Sequence, residues 1–216
     1  MSRASDGDKT AAPFVPKTTS LKVLRAAAHQ CRGCDLYKSA TQVVFGLGPK
    51  NARVMFVGEQ PGDQEDLQGE PFVGPAGALL DKALADAGIP RDQVYVTNAV
   101  KHFKWEPRGK RRIHKKPRAL EVKACRPWLE AELRSVKPAV VVCLGATAAQ
   151  SMLGASFKLM QQRGQVVSSP AAGRIVATIH PSAVVRAPDP EGRKAAYRML
   201  VADLKAVAKT LRGLRL

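Results

Sequence analysis

The chain has 216 residues, enough for one α/β domain with a full core but not for a second large one. Its 35 lysines and arginines against 18 acidic residues leave a formal charge of +17, which points to a polyanionic partner, nucleic acid first, because each cation set on a phosphate releases condensed counterions. No run approaches the roughly 18 consecutive apolar residues of a spanning helix, and the opening "MSRASDGDKTAAPFVPKTTS" has no apolar signal core, so a cytoplasmic protein with no membrane association is expected.

Residues 1–20 mix Ser, Thr, Pro and charge without apolar periodicity and read as a flexible tail; residues 21–216 read as the domain. After a short helix over Leu21 to Ala28, four apolar runs have strand character: "RVMFVGE" (53–59), "QVYVTNAV" (93–100), "AVVVCLG" (139–145) and "RIVATIH" (174–180). Helical segments are predicted over Gly77 to Ala87, Ala119 to Val136, Ala146 to Leu153 and Arg193 to Leu211. Strands apolar almost throughout, alternating with helices, imply a single-domain, three-layer α/β/α fold around a mostly parallel four-stranded sheet. Function in such sheets gathers at the carboxyl ends of the strands. There the chain carries "GEQPGDQEDLQGEPFVGPAG", "NAVKHFKWEPRGKRRIHKKPR" and "HPSAVVRA", the first two far longer than the median connection of about 4–6 residues.

Four cysteines in a reducing compartment read as metal ligands or buried thiols rather than disulfides. Cys31 and Cys34 form a C-x2-C pair, with Cys125 and Cys143 far downstream. Four thiolates suit a 4Fe-4S cluster or a tetrahedral zinc, and spacing does not choose between them. A redox pair at Cys31/Cys34 with two core thiols is the other reading, and Cys143, inside an apolar strand, fits a core position by itself.

"GEQPG" after one strand, "HPSAVVR" after a later one and the cysteine pattern together resemble the uracil-DNA glycosylase superfamily, in its iron-sulfur-containing branch. Gln60, where "GEAPG" is expected, and the inserted basic "KRRIH" (110–114) narrow the resemblance to the UdgX type. It implies removal of uracil from single-stranded and also double-stranded DNA, with a 4Fe-4S cluster on Cys31, Cys34, Cys125 and Cys143.

The resemblance also implies roles. Breaking the N-glycosidic bond builds positive charge at C1′ and negative charge on the base. Asn98 would pair with the uracil edge, Phe72 would stack on the flipped base, and Gly58 and Gly62 would shape that pocket. His180 would donate to the uracil O2 as charge accumulates. Lys110, Arg111, Arg112, Ser182 and Arg186 would hold phosphates. His114 would attack C1′ in place of water and leave the protein covalently attached to the abasic sugar. Its cationic neighbours, Lys110, Arg111, Arg112, Lys115 and Lys116, push toward the neutral ring, since like charge disfavours imidazolium, while nearby DNA phosphates push the other way, and the sequence does not give the sign of the sum. Glu59 would take a proton or balance the sugar cation, Gln60 would orient the His114 ring, and Asp63 would support the loop or a water.

Composition alone favours a phosphate-binding loop with an incidental histidine, or a nuclear-localisation-like basic run, and the resemblance reverses that order. The competing functions are a conventional turnover glycosylase that uses water, and a non-catalytic iron-sulfur DNA-binding protein. A monomer is expected, because no apolar helix face is surplus, and association with the nucleoid is expected when DNA is bound.

Overall fold

The computed structural model describes residues 9–169 and 172–214. Strands β1 (Val54–Gly58), β2 (Val94–Asn98), β5 (Val140–Leu144) and β7 (Gly173–Thr178) form the parallel sheet. A hairpin of β3 (Trp105–Arg108) and β4 (Arg111–His114) stands apart from it. A fifth strand, β6 (Val166–Ser169), pairs antiparallel with β7, so the order is β2-β1-β5-β7-β6 and the four-stranded expectation is corrected to five. β6 is short and half exposed at the edge of the sheet, which deprives it of the continuous apolar run that marks a central strand.

Alternation along the strands divides the core. Val54, Phe56, Val96, Val142 and Val176 face α3 (Pro75–Ala87) and α8 (Pro190–Gly213). Met55, Val57, Val141, Cys143 and Ile175 face α4 (Ala119–Val136) and α5 (Ala146–Leu153). The result is the three-layer α/β/α arrangement, with both sheet faces covered. Among the described residues no helix is long and apolar enough to cross a membrane.

A third cluster joins α1 (Leu21–Ala28) to α4 around Leu24, Trp128 and Phe45. Ala11 is buried in it, its amide donates to the Ala124 carbonyl at 2.7 Å, and residues 12–14 make a 3-10 turn. Residues 9–20 are therefore packed rather than a loose tail. Their apolar content is too sparse for periodicity to reveal, while residues 1–8 lie outside the described residues. Among the described residues there are also three short α-helices, α2 (Asp63–Gln68), α6 (Leu159–Gln162) and α7 (Pro181–Val185). Because β1, β2, β5 and β7 run parallel, Gly58, Asn98, Leu144 and Thr178 end on one rim.

Candidate active site

At that rim a cavity of about 570 Å³ is bordered by Glu59, Phe72, Asn98, His114, Thr147 and His180, and also by Gln60, Gly62, Ser182 and Arg186. Its floor depends on a missing side chain. A methyl group on Gly58 would run into the Asn98 side-chain oxygen and come within 2.9 Å of the Phe72 ring, so glycine gives these two groups their room. Asn98 is almost wholly buried at the end of β2. Phe72 holds a left-handed backbone (φ +60°), a conformation that costs about 1–3 kcal/mol in a non-glycine residue and is kept only where the surroundings enforce it. Gly77 is one such surrounding, since a Cβ there would strike the Phe72 carbonyl. At Gly62, which opens α2, a methyl would meet Glu65 Oε2 at 2.5 Å.

The Phe72 and His180 rings lie nearly parallel, 25° apart, with centroids separated by 6.1 Å. His180 caps α7: its Nδ1 accepts the Ser182 amide at 3.1 Å and lies 2.8 Å from the Ser182 hydroxyl. The neutral ring therefore carries its proton on Nε2. Burial, with Arg186 and His114 adding, brings the His180 pKa down to about 4, so the ring is a neutral donor at pH 7. Ser182, expected on a phosphate, is thus engaged in holding His180.

His114 ends β4, opposite Trp105. Its Nε2 lies 3.4 Å from Glu59 Oε1, while the second Glu59 oxygen accepts a short hydrogen bond from the Thr147 hydroxyl. The His114 pKa is lowered, first by partial burial; Glu59 opposes this and Arg186 reinforces it. The sign that the sequence leaves open falls toward the neutral ring, through burial and Arg186 rather than through the cations of the loop. Lys110 and Arg111 sit exposed at the hairpin tip, Lys115 pairs with Glu106 at 2.6 Å, and Arg112 is neutralised on both sides.

Arg112 is corrected from a phosphate contact to an anchor. It reaches Asp63 and the fully buried Asp66 at 2.6 Å each, donates to Thr41 Oγ1 at 3.0 Å, and lies 5.5 Å from the centres of the Phe103 and Trp105 rings. Asp63 accordingly binds the hairpin. Gln60 is corrected too. Its amide nitrogen donates to the carbonyls of Lys104 (3.1 Å) and Lys115 (3.2 Å), and its oxygen accepts the Lys104 amide at 3.2 Å. It pins both ends of the hairpin instead of touching the His114 ring. Thr147, which holds Glu59, and Asp66, which holds Arg112, are the site residues that the sequence reading does not single out. Only the two-residue Gly109–Lys110 turn, with φ +58° at the glycine, signals the hairpin.

The cysteines separate. Cys31, Cys34 and Cys125 share the α1–α4 cluster, whereas Cys143 lies mid-strand in the other core, packed with Met55, Val57 and Ala148. Burial pushes the Cys143 thiol up to about 12. The four-cysteine ligand set is corrected on that ground: a side chain in the middle of β5 belongs to the α4/α5 face of the sheet. The Trp128 indole donates to Cys31 Sγ at 3.2 Å and the Lys101 amide to Cys125 Sγ at 3.3 Å. Such donors are what the thiolates of an iron-sulfur cluster accept. His29 and His102 border the same recess as Cys31; His29 is exposed, whereas His102 is almost fully buried and is the imidazole that the cysteine count overlooked. Among the described residues no group of three or more His, Cys, Asp or Glu is placed to hold a single metal ion.

The family model of the uracil DNA glycosylase superfamily matches residues 45–205. A type-4 uracil-DNA glycosylase of Archaeoglobus fulgidus is 40% identical over 165 residues, covering 73% of this chain and 79% of the relative. One from Thermotoga maritima is 35% identical over 167 residues, covering 77% and 83%. A type-5 uracil-DNA glycosylase of Pyrobaculum aerophilum is 37% identical over 153 residues, covering 62% and 63%.

Proposed function

The chain belongs to the uracil-DNA glycosylase superfamily, and from that premise we propose that it excises uracil from single-stranded and double-stranded DNA and is captured on the abasic sugar through His114. The observation that carries the reading is the position of His114, a ring held toward its neutral form beside Glu59 and across one cavity from His180 and Asn98.

Uracil enters against Phe72, and Asn98 reads its edge. As the C1′–N1 bond breaks, its electron pair leaves with the base, and the His180 Nε2 proton meets the charge growing on O2. The His114 Nε2 lone pair then forms a bond to C1′. The positive charge passes to the alkylated imidazolium, which Glu59 balances at short range, and the ring is left free to shed its remaining N–H proton to solvent. Arg186, beside both histidines, and Lys110 and Arg111 at the exposed hairpin tip face the phosphates. Similarity to type-4 enzymes favours a second reading, in which water attacks C1′ and His114 only lines the site.

Cys31, Cys34 and Cys125, with His102 as fourth donor, would hold a 4Fe-4S cluster that ties the N-terminal segment to α4. The cluster would supply a structural cross-link, since uracil excision transfers no electrons. The glycosylase claim is tested by free uracil released from a uracil-containing oligonucleotide. His180→Ala and Asn98→Ala are each expected to slow release on the order of 100-fold. Unchanged release in both variants would remove the site.

A further inference from the structure

Between Asn98 and His102 the chain carries a lysine that the chemistry above does not use. Lys101 is completely buried, and its ammonium lies 2.5 Å from Glu132, which is equally buried in the C-terminal part of α4. The ammonium also donates to Thr97 Oγ1 at 2.6 Å and to the Asn98 carbonyl at 2.7 Å. Glu132 is held in turn by the Gly46 amide, the Tyr95 hydroxyl and the Thr97 hydroxyl, each at 3.0 Å. At the other end of the residue, the Lys101 amide meets Cys125 Sγ and the Lys101 carbonyl accepts the Val44 amide at 2.8 Å.

A buried ion pair is a poor way to gain stability, because its desolvation cost offsets its attraction, but it fixes geometry where one arrangement is required. Here the arrangement concerns a strand end. After Asn98 the chain leaves the sheet, so the Asn98 carbonyl has no strand partner beyond the edge of β2, and the ammonium of the residue three positions on satisfies it. Glu132 sets the position of that ammonium from a separate layer of the fold. We infer that Lys101, held by Glu132, is a positioning residue for Asn98, clamping the backbone of the base-recognition residue so that its amide meets uracil in one orientation.

The inference rests on Asn98 reading the base. Its test is single-turnover uracil release by the full-length, cluster-containing protein, measured as maximal rate and as half-saturating protein concentration. Lys101→Met with Glu132→Gln removes both charges together, preserves volume, and leaves an amide oxygen for Gly46, Tyr95 and Thr97. The clamp predicts a maximal rate about 10- to 100-fold lower, as expected for loss of one charge-assisted hydrogen bond that orients a reacting group. The half-saturating concentration should stay within about 2-fold, and adding Asn98→Ala should slow release little further, because the two changes remove one function. A folded double variant with the wild-type maximal rate would overturn the clamp while leaving the Asn98 assignment intact. Normal release by Asn98→Ala alone would overturn both. If the first pair does not fold, Lys101→Gln with Glu132→Gln, which removes the ammonium from the Asn98 carbonyl with a shorter, uncharged side chain, carries the same readout: a rate below wild type with half-saturation unchanged supports the clamp, and a wild-type rate refutes it.

Discussion

His114 Nε2 stands 3.4 Å from Glu59 Oε1, and the Thr147 hydroxyl holds the other oxygen of the same carboxylate. Glu59 is thereby fixed between the end of β1 and the start of α5, at a distance that lets it balance a cation on the imidazole without first taking its proton. Thr147→Val removes this restraint and leaves every group that faces DNA in place. Covalent capture should slow by about 10-fold, in keeping with the loss of one hydrogen bond to a charged group. Equal capture rates for Thr147→Val and wild type in a quench-flow time course would show that Glu59 needs no holding.

Gly58 gives the clearest steric prediction. A methyl group there collides with the Asn98 oxygen and crowds Phe72, so Gly58→Ala should cut uracil release on the order of 100-fold with DNA affinity retained. Titrating a uracil-containing oligonucleotide against the variant, with release measured in parallel, checks both halves.

Salt dependence separates the cations of the hairpin. Lys110 and Arg111 are exposed at its tip, whereas Arg112 is paired with Asp63 and Asp66. Replacing Lys110 and Arg111 by alanine should lower the magnitude of the log K against log salt slope by about 1–2. Arg112→Met should leave the slope unchanged but reduce capture, because His114 is carried on the strand that Arg112 anchors. A reduced slope in Arg112→Met would restore its reading as a phosphate contact.

Two pH effects follow from the histidines. Burial holds His180 at about 4, so between pH 6.5 and 4 the unfolded chain binds a proton at this position that the folded chain does not. Stability is therefore expected to fall as pH drops through that window, visible as a falling melting temperature that His180→Gln flattens. Capture by the proposed route needs the neutral His114 ring, whose pKa is also lowered, so the midpoint of the fall in capture rate with falling pH should lie below that of an ordinary imidazole. A midpoint above that of an ordinary imidazole would mean that Glu59 outweighs burial.

The cysteine correction predicts that Cys143→Ala keeps the iron content and visible absorption of the purified protein, while Cys125→Ala and His102→Ala lose them. Loss in Cys143→Ala would reinstate the four-cysteine set.

The four parallel strands and the longer helices between them were legible because burial on both faces writes continuous apolar runs such as "VMFVG" and "VVVCL", while the short α2 and α6 were not; Asn98 and His180 follow from where those runs end. The hairpin was not. "WEPRGKRRIH" has almost no apolar alternation, and what holds it is long-range: Arg112 against Phe103, Trp105 and α2, and the Gln60 amide on Lys104 and Lys115. Cys143 misled for a related reason. Counting thiols places it with the others, but only the pleat shows that its side chain belongs to the α4/α5 core.

The most direct test of His114 as the capturing nucleophile is a denaturing gel of the protein incubated with a uracil-containing oligonucleotide, beside a thymine control and His114→Ser. The account predicts a uracil-dependent band that survives heat and detergent, carries the sugar on His114 by peptide mass, and is absent from His114→Ser while that variant still releases uracil. Uracil release by the wild type with no retained band would contradict it and leave water as the nucleophile.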